Sequence, residues 1–440
     1  MYDRSVNDAL RIVQAGIKAA SPCISIPKRI KRIDHKLIIH SVFGRFLEID
    51  LREYDRIFIV GAGKATAFMA KALVGIIGER LHRGHVIVNY GNGMRLDKIE
   101  CSEAGHPIPD RNGMVRTKRI VELLRACKER DLVFCLLSGG ASSLLVYPKQ
   151  GISLHDLQVC NRIMISSGAN IQEINIIRKA ISSIKGGGLI RIAHPAKVVS
   201  LIVSDVIGDS PSDIGSGPTS SHPIDFIKLK DIIETYGLEK RLPKSILKLL
   251  DSGYNNGIND SERLNADNII ISNNTDALES AKRTARKLGY FTNIFSSELC
   301  GRTQDVSRQF VDIAKRMRRE KDTNRRPTCV LAGGETTVVV SGKGLGGRNQ
   351  ELVLSFLEQI SGLSNFLFMS CGTDGTDGPT DAAGAYVNDK TIQYIQENNI
   401  NVASYISDNN SYRFFEKAGG LIKTGPTGTN VMDIQVLMLT

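Results

Sequence analysis

The sequence predicts an α/β fold built on a mainly parallel sheet. Three observations carry that expectation. Several short β-branched runs are apolar throughout, as strands buried on both faces must be. Helical stretches alternate with these runs. Most glycine-rich loops follow a strand, and parallel sheets bind ligands outside the carboxyl ends of their strands.

In chain order, "NDALRIVQAGIKAA" reads as an amphipathic helix with charges inside it, which does not match a signal peptide. "RIFIV" (56–60) is a strand leading into "GAGKATAFMAKAL", and "HVIVNY" (85–90) is the next strand. "LVFCLL" (132–137) leads into "SGGASSLL", and "VVSLIV" (198–203) into "SDVIGDSPSDIGSGP". A helical, polar stretch follows over 223–267, and the composition of its end places a domain boundary near 255–265. "NIIIS" (268–272) leads into the helical "NNTDALESAKRTARKLG". "TCVLAGGETTVVV" (328–340) reads as two strands joined by two glycines, and "GRNQELVLSFLEQI" (347–360) as a helix. "NFLFMS" (365–370) and "DIQVLML" (433–439) complete the strands.

The chain has 440 residues, enough for two or three domains at roughly 100–200 residues each. A hydrophobic share of 42% with 23% charged residues is that of a soluble globular protein. The net charge of +11 suits an anionic partner or a soluble basic surface. Aromatics make up 6% and Trp is absent, which argues against base-stacking platforms for nucleic acid. The basic runs "KRIKRIDHK" (28–36) and "AKRMRREKDTNRR" (314–326) read as solvated faces. Eight cysteines without a C-x-x-C pair read as buried thiols in a reducing compartment. No apolar run approaches the ~18 residues of a membrane span. A cytoplasmic enzyme with small-molecule substrates is expected, without nucleic acid or membrane partners, and with self-association left open.

The loops carry the chemistry. "VGAGKATA" is close to two phosphate loops and completes neither. The G-x-x-x-x-G-K-[ST] pattern fails at Phe58 and Ala65, and G-x-G-x-x-G fails at Thr66. Gly61 and Gly63 are still expected to let backbone N–H groups approach an anion, with Lys64 adding a point charge. In "LLSGGASSLL", Ser138, Ser142 and Ser143 offer hydroxyls, and Gly139 and Gly140 offer N–H donors. G-x-S-x-G is absent, so a hydrolase elbow is not expected. Asp205, Asp209 and Asp213 lie in one polar loop, and His106 stands in "EAGHPIPD". Arg178 and Lys185 precede three glycines, either reaching into a cleft or complementing a helix dipole. In "GGETTVVVSGKGLGGRNQE", Arg348 opens a helix, where the dipole repels a cation. That placement favours a clamp on carboxylate or phosphate. "SCGTDGTDGPTDAAG" (370–384) holds Asp374, Asp377 and Asp381 and fails the EF-hand pattern. Following a strand, it should line the ligand crevice, with Asp374 and Asp377 supplying carboxylates to Mg²⁺ beside nucleotide phosphates.

These motifs resemble those of the class II glycerate kinases, whose C-terminal half is called the MOFRL domain. "GAGKA", "AGHPIPD", "LLSGGASSLL", "SSIKGGG", "VSDVIGDSPSDIGSGPT", "GGETTVVVSGKGLGGRNQE", "GTDGTDGPTDAAGA" and "TGPTGTNVMD" span nearly the whole chain. The resemblance implies ATP- and Mg²⁺-dependent phosphorylation of D-glycerate, at the 2-hydroxyl. It implies a Rossmann-like domain over 1–260, a MOFRL-type α/β domain over 261–440, and an active site in the cleft between them. Lys64 and Arg348 are then the active-site cations, and Asp205 is the candidate acceptor of the hydroxyl proton. Nucleotide contacts are expected from Gly61, Gly63, Ser138, Gly139, Gly140, Ser142, Lys185, Gly333, Gly334, Glu335, Gly346, Gly347 and Thr373, and Mg²⁺ contacts from Asp374 and Asp377. Two positions depart from the family pattern: Ala180 stands where a histidine is usual, and Gly188 where an arginine is. The rival is an NAD(P)H-dependent hydroxypyruvate reductase. Against it stand the incomplete G-x-G-x-x-G and Asn89, which falls where an acidic residue would bind ribose.

Overall fold

The computed structural model describes residues 4–221, 224–256, 264, 266–324 and 327–440. It divides into two compact units, one of Ser25–Ile271 and one of Met1–Ile24 with Ser272–Thr440. The boundary expected at 260 lies outside the described residues. The first 24 residues, expected in the N-terminal domain, fall instead with the C-terminal sequence. The amphipathic helix Arg4–Ala20 brings them there. Gly16 lets it pack against the backbone of Ala277, where an added Cβ would fall 3.1 Å from the carbonyl oxygen.

The unit Ser25–Ile271 opens with a small antiparallel sheet, β1 (Ile30–Ile33), β2 (Lys36–His40) and β3 (Phe46–Asp50). The basic run expected to be a solvated face is the outer side of this hairpin. Period-2 alternation buries Ile30, Leu37 and Ile39 and leaves Lys31 and Lys36 in water.

The main sheet of this unit has β4 (Arg56–Ala62), β5 (Leu81–Asn89), β6 (Ile99–Ala104), β7 (Asp131–Leu137), β8 (Lys197–Val203) and β9 (Asp267–Ser272). Their order is β6-β5-β4-β7-β8-β9. The pairs β4–β5, β4–β7, β5–β6 and β7–β8 are parallel. The chain starts in the middle at β4, winds to one edge, returns beside β4 as β7 and winds to the other edge. This is the doubly wound order of a Rossmann-like sheet, with its switch point between β4 and β7. β7 is buried along its whole length, and it packs through Val133, Cys135 and Leu137 into a core shared with Val60, Ile120 and Leu124.

Between β7 and β9 the chain also inserts helices with a core of their own. Helices Leu154–Ser166 and Ile171–Ala180 each begin at a capping box, Ser153 with Asp156 and Asn170 with Glu173. Their apolar faces meet those of Phe226–Thr235 and Lys244–Asn256 around Ile174, Ile177, Leu229, Ile232 and Leu238.

The second unit carries β10 (Phe291–Arg302), β11 (Thr328–Thr337), β12 (Phe366–Gly372), β13 (Gly384–Asn388), β14 (Leu421–Ile422) and β15 (Asp433–Leu439). The order is β10-β11-β15-β12-β13-β14. The expected parallel pattern does not extend here. Among the described residues only β10–β11 is parallel here: β15 inserts antiparallel between β11 and β12, and β12–β13 and β13–β14 are antiparallel too. β12 and β15 are apolar and wholly buried, and such runs look alike in sequence whatever the direction of their neighbours. "TCVLAGGETT" is one strand, not two. Its glycines serve close approach. A Cβ on Gly333 would fall 1.9 Å from Asn274 Oδ1, and one on Gly334 would fall 2.2 Å from the Leu299 carbonyl oxygen. Among the described residues, no helix is long and apolar enough to cross a membrane.

Candidate active site

The "GAGKA" turn leaves β4 at the switch point, as expected, but its amides are spent inside the protein. The N–H of Gly63 donates to Ile87 O (3.1 Å), that of Lys64 to Gly139 O (2.8 Å), and that of Thr66 to Gly63 O (3.2 Å). The N–H of Ala65 donates to Ser138 Oγ (3.0 Å). Gly61 and Gly63 are glycines because β7 passes too close for a side chain. A Cβ would fall 2.0 Å from Leu136 O at Gly61 and 2.1 Å from Ser138 Oγ at Gly63. The role the structure shows for these two glycines is close packing of β4 and its turn against β7 and the turn after it. The turn presents the half-buried side chain of Lys64.

The neighbouring turn after β7 is arranged differently. Ser138 Oγ caps the helix Thr66–Ile77, standing in for a capping side chain that Ala65 cannot supply. The Ser138 hydroxyl, expected to contact nucleotide, makes its contacts within the protein here, with Ala65 N and Thr66 Oγ1. Among the described residues, the N–H groups of Gly139 and Gly140 meet no acceptor. Gly140 has φ +88°, and a Cβ there would fall 2.8 Å from the His106 ring and 3.6 Å from Lys64 Cγ. Lys64, His106 and Gly140 therefore share one small region. Asp205 stands half-buried just past β8, beside the same edge of the sheet.

Two more cations approach this turn from below. Lys185 is 7% exposed, and its Nζ donates to the carbonyls of Ser142 (2.8 Å) and Gly215 (3.4 Å). Burial, and then the charge of Arg178, push its pKa down to about 7. Ser142 Oγ pairs with Ser216 Oγ (3.1 Å), and Ser216 Oγ donates to Asn175 (2.9 Å). Arg178 is half-buried, with Nε donating to Asn161 Oδ1 (3.1 Å).

In the other unit Arg348 opens the helix Arg348–Gln359, as the sequence reading expects. Its clamp is closed on protein carboxylates. Nε and Nη2 donate to the two oxygens of Asp433 (2.7 and 2.9 Å), and Nη1 pairs with Glu335 (2.9 Å). Burial pulls the guanidinium pKa down, but Asp433 and then Glu335 push it further up, and the net shift is upward.

The three aspartates of the 370–384 loop go three ways. Asp377 is 1% exposed and lies at the N-terminus of that same helix. Its Oδ1 accepts from Asn349 N (3.0 Å), and its Oδ2 from Gln350 N and Nε2 (2.9 Å each). Gly347 permits this approach, since a Cβ there would fall 2.3 Å from the Asp377 carboxyl carbon. Gly346 likewise makes room for Ser411 Oγ. Beside the expected Mg²⁺ contact, Asp377 has an internal role: its oxygens accept from N–H donors, and it fills the anion site of the helix itself. Burial pushes its pKa up to about 6, against the amides of Asn349 and Gln350. Asp381 accepts from Lys423 (2.8 Å) and Tyr412 (2.7 Å). Asp374 remains half-buried at a turn, its Oδ1 accepting from Thr376 N and Oγ1 (3.0 Å each). Thr373 is also internal, its hydroxyl joining the Val431 amide and the Met432 carbonyl.

Residues 328–433 match the MOFRL family, and residues 8–251 match a family described as a domain of unknown function (DUF4147). A protein from Pyrococcus horikoshii named glycerate 2-kinase is 37% identical over 435 residues, covering 98% of this chain and 96% of its own. The chain belongs to the MOFRL family of glycerate kinases. A D-glycerate 2-kinase from Thermotoga maritima is 36% identical over 420 residues, 93% of this chain and 98% of that protein. A crystal structure titled glycerate kinase, from the same organism, matches with a TM-score of 0.83 and 34% identity over the whole of both chains.

The two departures from the glycerate kinase pattern occupy quiet positions. Ala180 is buried in the core of the inserted helices. Gly188 starts the helix Gly188–Ala193, where a Cβ would fall 2.3 Å from Ser183 O. The role of Asp377 has a direct test. Asp377→Ala removes an acceptor from several buried donors and is expected to destabilise the protein by about 3 kcal/mol, read as a lower urea midpoint. The Mg²⁺ concentration for half-maximal activity should not move. A raised Mg²⁺ requirement at unchanged stability would return Asp377 to the metal.

Proposed function

We propose that the protein transfers the γ-phosphoryl group of MgATP to the 2-hydroxyl of D-glycerate, giving 2-phosphoglycerate and ADP. One observation carries the reading beyond kinship: Lys64, His106 and the N–H donors of Gly139 and Gly140 gather at the switch point of a doubly wound sheet.

Phosphoryl transfer asks a protein mainly to position its substrates and offset charge. Lys64 would offset charge on the transferring group, with the Gly139 and Gly140 amides donating to its oxygens. Asp205 would accept the proton as the 2-hydroxyl oxygen bonds to phosphorus and the bridging oxygen leaves with ADP. Among the described residues, no cluster of three His, Cys, Asp or Glu side chains could hold a metal. Mg²⁺ is commonly held by one or two carboxylates together with nucleotide phosphates. Asp374 is the carboxylate of the 370–384 loop that would serve. Bound there, Mg²⁺ would neutralise charge on the phosphates. The amides spent within the "GAGKA" turn count against a reductase, because a dinucleotide pyrophosphate needs them.

The test is ADP release from MgATP with and without D-glycerate, with the product then offered to enolase. Glycerate-dependent ADP and a product that enolase consumes are expected. ADP without an enolase substrate would move the transfer to the 3-hydroxyl. No glycerate-dependent ADP would overturn the kinase reading, and NADH oxidation with hydroxypyruvate would favour the reductase.

A further inference from the structure

The inserted helices and the turn after β7 enclose a pocket of about 230 Å³. Gly140, Ser142, His106 and Arg178 line it, and helix Leu154–Ser166 closes one side with Asn161 and Ile165. A smaller cavity of about 20 Å³, also lined by Ser142, Asn161 and Arg178, continues inward to Lys185. The walls hold exposed Arg162 at the rim and two more enclosed cations, half-buried Arg178 and buried Lys185. Among the described residues, neither of the two enclosed cations has a carboxylate partner. Arg178 is tethered at one point. Nε holds Asn161, which fixes the guanidinium plane, and its two terminal nitrogens meet no acceptor among the described residues. Lys185 bonds two neutral carbonyls, which hold its amine in place without balancing its charge. Buried cations without counter-charge are costly unless an anion completes them.

We propose that this pocket receives the carboxylate of the acceptor, with the terminal nitrogens of Arg178 gripping both of its oxygens. A planar guanidinium held at its third nitrogen suits that two-pronged grip. Lys185 supplies a second positive charge from beneath. The volume favours a three-carbon acid over a nucleotide, since pockets for drug-sized ligands span roughly 300–1,000 Å³. The other end of the pocket reaches Gly140, beside Lys64. An acid anchored at Arg178 would therefore point its hydroxyls towards the switch point. The assignment rests on the kinase reading and makes Arg178 the residue that selects an acid over a neutral polyol.

Steady-state kinetics of Arg178→Gln test it, with D-glycerate and with glyceramide, in which a neutral amide replaces the carboxylate. The variant should raise the KM for D-glycerate by about 100-fold and leave the KM for ATP in place. It should also lose most of the wild-type preference for D-glycerate over glyceramide. Loss of packing alone would weaken both acceptors alike and keep the preference, and that result would overturn the proposal. So would an unchanged KM for D-glycerate, or a raised KM for ATP in its place, which would make the pocket a phosphate site. Should Arg178→Gln not fold, Arg178→Lys keeps the charge without the two-pronged grip and should raise the KM for D-glycerate by about tenfold. A wild-type enzyme with no glycerate-dependent ADP release would instead sink the kinase reading, separately from any effect of Arg178.

Discussion

Lys64→Ala is expected to lower kcat by about 100- to 1,000-fold and to leave the melting temperature within about 2 °C of wild type. The reason lies in how the turn is built. Its N–H groups at residues 63–66 bond to Ile87, Gly139, Ser138 and Gly63, and these main-chain bonds hold the shape of the turn. What the substitution removes is one positive charge beside Gly140. In a site that excludes water, such a charge acts on the transferring phosphoryl group far more strongly than it would in solvent. Single-turnover measurements with saturating D-glycerate and MgATP separate this loss from any change in binding. A kcat within threefold of wild type would remove Lys64 from the chemistry.

Arg348→Ala is expected to fail in the opposite way, through stability. Asp433 is fully buried in β15, and two nitrogens of Arg348 complete its carboxylate. Removing the arginine leaves that charge buried and uncompensated at a cost of about 3–5 kcal/mol. The urea midpoint should fall accordingly. The double variant Arg348→Met/Asp433→Leu should recover much of the loss, because replacing a buried pair by apolar groups is often neutral. The resemblance to glycerate kinases assigns Arg348 to the reacting groups. An Arg348→Ala variant that melts like wild type yet has lost activity would support that assignment and make the pair with Asp433 dispensable.

β4, β7, β8, β12 and β15 are apolar runs, and each lies within about a residue or two of its expected place at one end or both. β6 and β10 were missed because both are edge strands with exposed positions among buried ones. Strand direction in the second unit could not be read, since it depends on where β15 inserts. The site shows the same division. Glycines 61 and 63 read as anion-binding from their loop, and the resemblance to glycerate kinases implies nucleotide contacts at 333 and 347. Their physical reason is a neighbour passing where a Cβ would stand, and that neighbour is distant in sequence. Asp374 and Asp377 carry the same side chain three residues apart. Only the fold shows that one lies at the N-terminus of a buried helix and the other at a turn. Arg178 is legible in sequence as a cation before three glycines, with no acid three or four residues from it on its own helix; only the fold shows that the one acid of that helix, Glu173, caps it at Asn170.

β4 and β7 are paired from Arg56–Asp131 to Ala62–Leu137, and the turns bearing Lys64 and Gly140 leave directly from their ends. Two paired strands lie about 4.8 Å apart whatever side chains they carry. The distance between these turns is therefore a property of the backbone. A lineage could replace the surface, repack the inserted helices or change the acceptor and still inherit the same spacing at the point of transfer. Mutational drift and this spacing are decoupled, which leaves the acceptor pocket free to diverge while the phosphoryl end stays fixed.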